Sequence, residues 1–473
     1  MSSAPRVAFR TLGCKLNQHE SDSLAEDFRS AGYALVPFEE AADVYVLNTC
    51  TVTNKADRKS RNLLYRTLRA AGAGAATQAD APRTQVGAGS EDEAGTEDER
   101  GGAGNSRPLV VLTGCFAEGH KRQYTGDNRF LLVDNPRKAH LVDLVEARRR
   151  GELTDPDAAD PNLFRYHAAS VYHTRSTIKI QDGCNNFCTF CIVPYVRGTA
   201  QSRPTAEVLA DARRSIEGGA HEIVLTGVNM SRYDHEGVGF SGLLERLLEL
   251  SGRFRLRISS LEPDRLDDRF FTLLEHPKMC PHLHLCLQSG SDRILLRMRR
   301  QYDTARFSRY VERIRRARPD FNLTTDILVG FPGETEEDFT RTVEMARRIG
   351  FSHIHTFPYS VRERTRAARM PGHVSEAVKS ERAEIIRRVS LENKIRYRRS
   401  LIGRSETLLV ERTAPAAGRE HGYGEHYVPI RLVESRPAAA TSLRRNELLR
   451  VRLAGLSDDE EPLLLGEPEE NHD

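Results

Sequence analysis

Residues 176–198 read STIKIQDGCNNFCTFCIVPYVRG. The stretch opens with the alternation of a strand. It then runs into a loop holding Cys184, Cys188 and Cys191, spaced C-x3-C-x2-C. A structural zinc ion takes four ligands, often as two pairs; this loop supplies three. A four-iron cluster held by three thiolates has one iron without a protein ligand. That open position can bind a small molecule. In a reducing compartment, clustered thiols more readily bind metal or do chemistry than form disulfides.

Outward from this loop, strands and helices alternate. Strands are expected at STIKIQDGC, HEIVLTGVNM, RLRISSLEP, HLHLCLQSG, FNLTTDILVGFPGE and FSHIHTFPYS. Helical stretches such as TAEVLADARRSIEGGA and TARFSRYVERIRRAR separate them. The pattern predicts a parallel (βα) barrel, full or partial, over residues 170–399. Active sites of such barrels gather at the C-terminal strand ends, and Cys184 follows the first strand.

Residues 1–150 read as a separate α/β domain. RVAFRTL, ADVYVLNTCTVT and LVVLTGC have strand patterns, and residues 20–31 and 54–70 have helical spacing. Cys14, Cys50 and Cys115 each fall just past a strand end, the edge where open α/β sheets bind ligands. Residues 72–107 interrupt the domain with eight Gly, eight Ala and seven acids. Such a segment cannot bury enough apolar surface to order itself, and a disordered insertion is expected there. After a charged helix over 375–399, short strands at SETLLVERT, EHYVPIRLVE and ELLRVRLAGL predict a small β-barrel over 400–466. Residues 457–473 read as an acidic tail. The fold class is α/β with a small all-β appendage.

The chain has 473 residues and a net charge of +3. The insertion carries −4 and the tail −8, which leaves +15 on the body. A basic body suits a polyanion such as nucleic acid; a solvated, arginine-rich surface is the alternative. No apolar run approaches the roughly 18 residues of a membrane span, and the N-terminus has no signal pattern. A cytoplasmic protein is expected.

The C-x3-C-x2-C loop, with the aromatic Phe190 before its last cysteine, resembles the radical S-adenosylmethionine (SAM) superfamily. TLGCKLNQHES, NTCTVT and LTGCFAE in one α/β domain, followed by GCNNFCTFCIVPYVRG, look like the methylthiotransferase family. SSLEPDRL, HLCLQSGSDRILLRM, DILVGFPGETEEDF, FPYSVRERT and GYGEHYVPIRL extend the match over nearly the whole chain, apart from residues 72–107 and the acidic tail. Branches of the family differ at the first cysteine. GCKLNQHES and NTCTVTNKAD resemble the branch acting on N6-threonylcarbamoyladenosine at position 37 of tRNA. The GCQMN pattern of the isopentenyl-adenosine branch and the PKN signature of the ribosomal-protein branch are absent.

The resemblance implies two four-iron clusters, one on Cys184, Cys188 and Cys191 and one on Cys14, Cys50 and Cys115. It implies a tRNA-binding TRAM domain at the C-terminus and a tRNA anticodon loop as partner. It implies an electron donor such as flavodoxin or ferredoxin, and a monomer. By this reading, reductive cleavage of SAM yields a 5′-deoxyadenosyl radical. Hydrogen on carbon 2 of the adenine is then replaced by sulfur and a methyl group from a second SAM. Phe190, Asn229, Glu262, Gln288 and Gly330 are the candidate SAM contacts. Arg197 is expected either to meet the substrate or to make a surface salt bridge. Cys280 and Cys286 are expected to pack in the core, and His282 and His284 to line it. A second enzyme reading is a methylthiotransferase of isopentenyl-adenosine or of a ribosomal protein. A third is a non-catalytic, metal-bearing RNA-binding protein.

Overall fold

The computed structural model describes residues 4–72, 107–152, 155–166, 174–412, 421–433 and 444–469. The expected disordered insertion lies outside the described residues from 73 to 106, and the acidic tail from 470 onward.

The N-terminal domain is a five-stranded parallel sheet, in the order Ala34–Val36, Arg6–Thr11, Val44–Thr49, Leu109–Gly114, Leu131–Leu132. Parallel strands covered on both faces read as continuous apolar runs, and Val44, Val46 and Leu47 are fully buried. The helix Asn54–Ala70 begins where Thr53 accepts a hydrogen bond from the Ala56 N–H. This cap satisfies an orphan donor of the first turn. The helix Lys15–Ser30 differs. It buries Asn17, His19, Glu20, Ser21, Asp22 and Ser23 along with its apolar residues, because its polar face is turned against charged partners.

Six parallel strands form the central unit. Ser176–Lys179, Glu222–Thr226 and Arg255–Ile258 make one half; His282–His284, Asn322–Val329 and His353–Pro358 make the other. Bridges from Leu256 to Met279 and from Leu261 to Leu285 join the halves. The barrel is therefore partial. At its first strand, the N-terminal helix Lys15–Ser30 brings Glu20 to within 3.1 Å of the Lys179 ammonium. The long helix Glu376–Leu401 packs on the last strand, burying Ala383, Ile386 and Val389 in the main core.

The C-terminal unit is a closed barrel of Ser405–Arg412, His421–Tyr423, Pro429–Leu432, Leu464–Pro468 and Leu448–Leu456. Leu464–Pro468 falls inside the stretch read as an acidic tail. It pairs with strands on both sides and closes the barrel. This unit sits against the N-terminal ends of the central strands. Arg257 Nη1 donates to the Glu425 carbonyl at 3.1 Å, and Asn322 Nδ2 to the His426 carbonyl at 2.5 Å. Among the described residues no helix is long and apolar enough to cross a membrane.

Candidate active site

The loop carrying the first triad leaves its strand through Gly183, at φ 67°. A Cβ there would lie 2.0 Å from the Thr199 carbonyl oxygen, so only glycine lets the chain turn here. The Asn186 N–H faces Cys184 Sγ at 3.5 Å, and Arg300 Nη1 lies 3.3 Å from Cys188 Sγ. Burial pushes all three thiols up, and the Glu262 carboxylate adds to the push on each. They are therefore thiols until iron binds, and ligation releases protons. Arg300 also pairs with Glu262.

Two buried polar atoms beside this triad lack partners: Asn186 Oδ1 and Asn229 Nδ2. The other atoms of both side chains are engaged. Asn186 Nδ2 donates to Asp264 Oδ2 at 3.2 Å, and Asn229 Oδ1 accepts from Ser231 Oγ at 2.8 Å. An orphan acceptor and an orphan donor suit a ligand that offers an amino and a carboxylate group.

Of the residues expected to contact SAM, Asn229 and Glu262 lie beside the thiols. Phe190 packs edge-on to Phe331, with centroids 6.4 Å apart. Gln288, held at φ 65°, donates its N–H to the Asp326 carbonyl at 2.8 Å. The Gly330 N–H donates to Glu334 Oε2 at 2.7 Å, and the Lys379 side chain covers its open face. Gln288 and Gly330 follow the ends of the adjoining strands, and Phe190 lies in the cysteine loop itself. Arg300, Asn186 and Asp264 were not singled out from the sequence, where they carry no motif of their own.

The second triad forms at the sheet edge. Cys50 follows Val44–Thr49, and Cys115 opens a short helix after Leu109–Gly114. Gly114, at φ 93°, makes this approach possible, since a Cβ would lie 2.4 Å from the Thr49 carbonyl oxygen. Cys14 is exposed, while Cys50 and Cys115 are buried. Burial pushes Cys50 up to about 11 and raises Cys115, and in each case neighbouring thiols add to the shift. A single tetrahedral ion at a Zn–S distance of about 2.3 Å would draw its thiolates to within roughly 3.8 Å. Among the described residues the one ligand-type group closing to within 4.8 Å is His284, Cys286 and Asp326.

The two triads meet across the domain junction. Cys115 packs against Ile192 and Val196, on the turn and helix that follow the first cysteine loop. Arg197 departs from the expected surface salt bridge: it is 6% exposed, and its ion pairs are buried. Its Nη1 lies 3.0 Å from Glu20 Oε1 and from Asp182 Oδ2, and Nη2 donates to Asn17 Oδ1 at 2.6 Å. Lys138 and Lys179 complete this buried network around Glu20. Cys280 is buried as core packing requires. Cys286 instead faces Asp326, with Sγ 3.9 Å from Oδ2, and His284 Nε2 lies 3.2 Å from Asp326 Oδ1. The rim of the junction exposes Val52, Phe187, Phe357 and Val361. Arg364 lies over Tyr195 at 5.1 Å.

Residues 178–346 match the Radical SAM superfamily, and residues 6–78 match the Uncharacterized protein family UPF0004. A threonylcarbamoyladenosine tRNA methylthiotransferase MtaB of Thermotoga maritima is 33% identical over 93% of this chain and 94% of its own. The Bacillus subtilis protein of that name is 36% identical over 80% and 78%. The chain belongs to the radical SAM tRNA methylthiotransferase family. A tRNA-2-methylthio-N(6)-dimethylallyladenosine synthase of Cereibacter sphaeroides, 33% identical over 96% of this methylthiotransferase and 97% of its own chain, lies in the same family. The radical SAM methyltransferase TsrM of Kitasatospora setae aligns with a TM-score of 0.51 at 15% identity, over 77% of each chain, a likeness of fold alone. A radical SAM methylthiotransferase uses SAM and a four-iron cluster, and the donors around Cys184, Cys188 and Cys191 fit that pair.

Proposed function

We propose that this enzyme converts N6-threonylcarbamoyladenosine in a tRNA anticodon loop to its 2-methylthio derivative. The observation that carries the reading is near full-length similarity to the Thermotoga maritima relative of that name, with both cysteine triads intact. Cys14, Cys50 and Cys115 would hold a second four-iron cluster, the route for sulfur. Bound at the first triad, the cluster and SAM supply one-electron cleavage of the SAM sulfonium. The chain's own residues do the rest. Asn186 and Asn229 offer the orphan acceptor and donor that orient SAM. Arg300 faces Cys188 and Glu262, and so neutralises charge at the ligand shell.

The C-terminal barrel acts as the TRAM-like tRNA-binding unit, the enzyme works as a monomer in the cytoplasm, and flavodoxin or ferredoxin supplies electrons. The Cereibacter sphaeroides relative supports a second reading, dimethylallyladenosine as the modified base.

Mass spectrometry of tRNA nucleosides tests the proposal in cells with the gene, without it, and with Cys184→Ala or Cys50→Ala. Loss of 2-methylthio-threonylcarbamoyladenosine in all three altered strains is expected. Loss of a different methylthio nucleoside overturns the substrate. Persistence in Cys50→Ala removes the need for the second triad.

A further inference from the structure

Lys15 follows Cys14 directly and opens the helix Lys15–Ser30. Its side chain is exposed and reaches Tyr427 of the C-terminal barrel. The ammonium lies over the Tyr427 ring, 4.8 Å from its centroid, and the His282 ring is 4.8 Å from the same ring. On the last barrel strand, Ile354 is buried in the core and His355 turns to the lumen, 5.5 Å from the His284 ring. The Lys15 charge reaches His282 and His355. Burial first pushes both imidazoles down; Arg257 and Lys15 add to the fall of His282, and His284 and Lys15 to that of His355 against the opposing Asp326 carboxylate, so both stand neutral at pH 7.

No carboxylate lies within 4.0 Å of Lys15 among the described residues. Three other cations at the junction are paired with carboxylates: Arg300 with Glu262, Arg362 with Asp57, and Arg197 with Glu20 and Asp182. An ammonium beside the Tyr427 phenol and two neutral imidazoles, with no carboxylate paired to it, is a place for an anion. Its position also matters. Carbon 2 and the N6 nitrogen of adenine lie on one edge of the base, either side of N1. A group that holds the N6 substituent must sit close to whatever delivers sulfur to carbon 2. Cys14 and Lys15 are consecutive residues.

We infer that Lys15 binds the carboxylate of the N6-threonylcarbamoyl group and so selects the substrate. This rests on the reading proposed above, and the test separates the two. Lys15→Gln removes the charge and keeps a polar chain; Lys15→Arg keeps the charge. Each holoenzyme is titrated with anticodon stem-loops bearing the threonylcarbamoyl group as free acid or as methyl ester. Product formation on these and on an isopentenyl stem-loop is followed in parallel.

The wild type should bind the acid roughly tenfold to a hundredfold more tightly than the ester, as a hydrogen-bonded charge pair warrants. Lys15→Gln should bind both as the wild type binds the ester, and Lys15→Arg should keep most of the preference. Iron content per chain reports whether the variants are folded. A preference kept in Lys15→Gln overturns the assignment, and so does an equal loss for acid and ester. A wild type that methylthiolates the threonylcarbamoyl loop without preferring the acid removes Lys15 alone. A wild type that modifies only the isopentenyl loop removes the substrate reading, and Lys15 with it.

Discussion

Arg300 holds two partners, the Cys188 thiol and the Glu262 carboxylate. Its side chain is 3% exposed and that of Glu262 18%. Removing one member of such a pair leaves an uncompensated charge, and Glu262, already pushed up by burial, loses the cation that opposes the push. Arg300→Met should cost roughly 2–4 kcal/mol of stability, read from urea unfolding of the iron-free protein. A shift within about 0.5 kcal/mol, the range of an ordinary surface substitution, would mean that the pair is dispensable. The cysteines of both triads were legible in the sequence, because few chemistries place thiols after consecutive strand ends. Arg300 was not. Its partners lie 112 and 38 positions away, and nothing in local spacing marks that.

Among the elements, the helix Lys15–Ser30 is the one whose pattern ran against a simple amphipathic reading. It buries Glu20, which takes Lys138, Lys179 and Arg197 as partners. Arg197→Met should cost about 3–5 kcal/mol and release the N-terminal domain to limited proteolysis at its junction with the barrel. Resistance equal to wild type would sink this view. A second junction responds to pH. Burial pushes the His426 imidazolium down, but Asp320 and Glu406 outweigh it and raise its pKa to about 9. Unfolded histidine titrates near 6.5, so the folded value is the higher one. The stabilisation is full below about pH 6.5 and is lost as pH rises through 9. Unfolding midpoints should fall between pH 7 and pH 9.5 in the wild type and stay flatter in His426→Gln. An equal fall in both would refute the role. The strand Leu464–Pro468 escaped the sequence because acids crowd it. Its Leu464 and Gly466 face inward all the same, and the barrel closes through them.

At the scale of the molecule, the α/β, partial-barrel and small-barrel units were legible from period and turn signals. How the units dock was not, since docking is written in pairs from distant segments. The basic body, +15 without the insertion and the tail, sets how tRNA is held. If six to ten phosphates are neutralised, affinity should fall by roughly a thousandfold or more between 50 and 200 mM salt. A flat response in a filter-binding titration would refute phosphate contact as the main source of affinity. The buried network at Glu20 bears on how the protein is made. A ribosome delivers Cys14, Glu20, Cys50 and Cys115 early, with Lys138 soon after, while Lys179 and Arg197 arrive only with the first barrel strand and its cysteine loop. During synthesis the early helix therefore carries a carboxylate with one of its three cations. The first-made of the two cysteine sites must therefore wait for the second before its walls are complete.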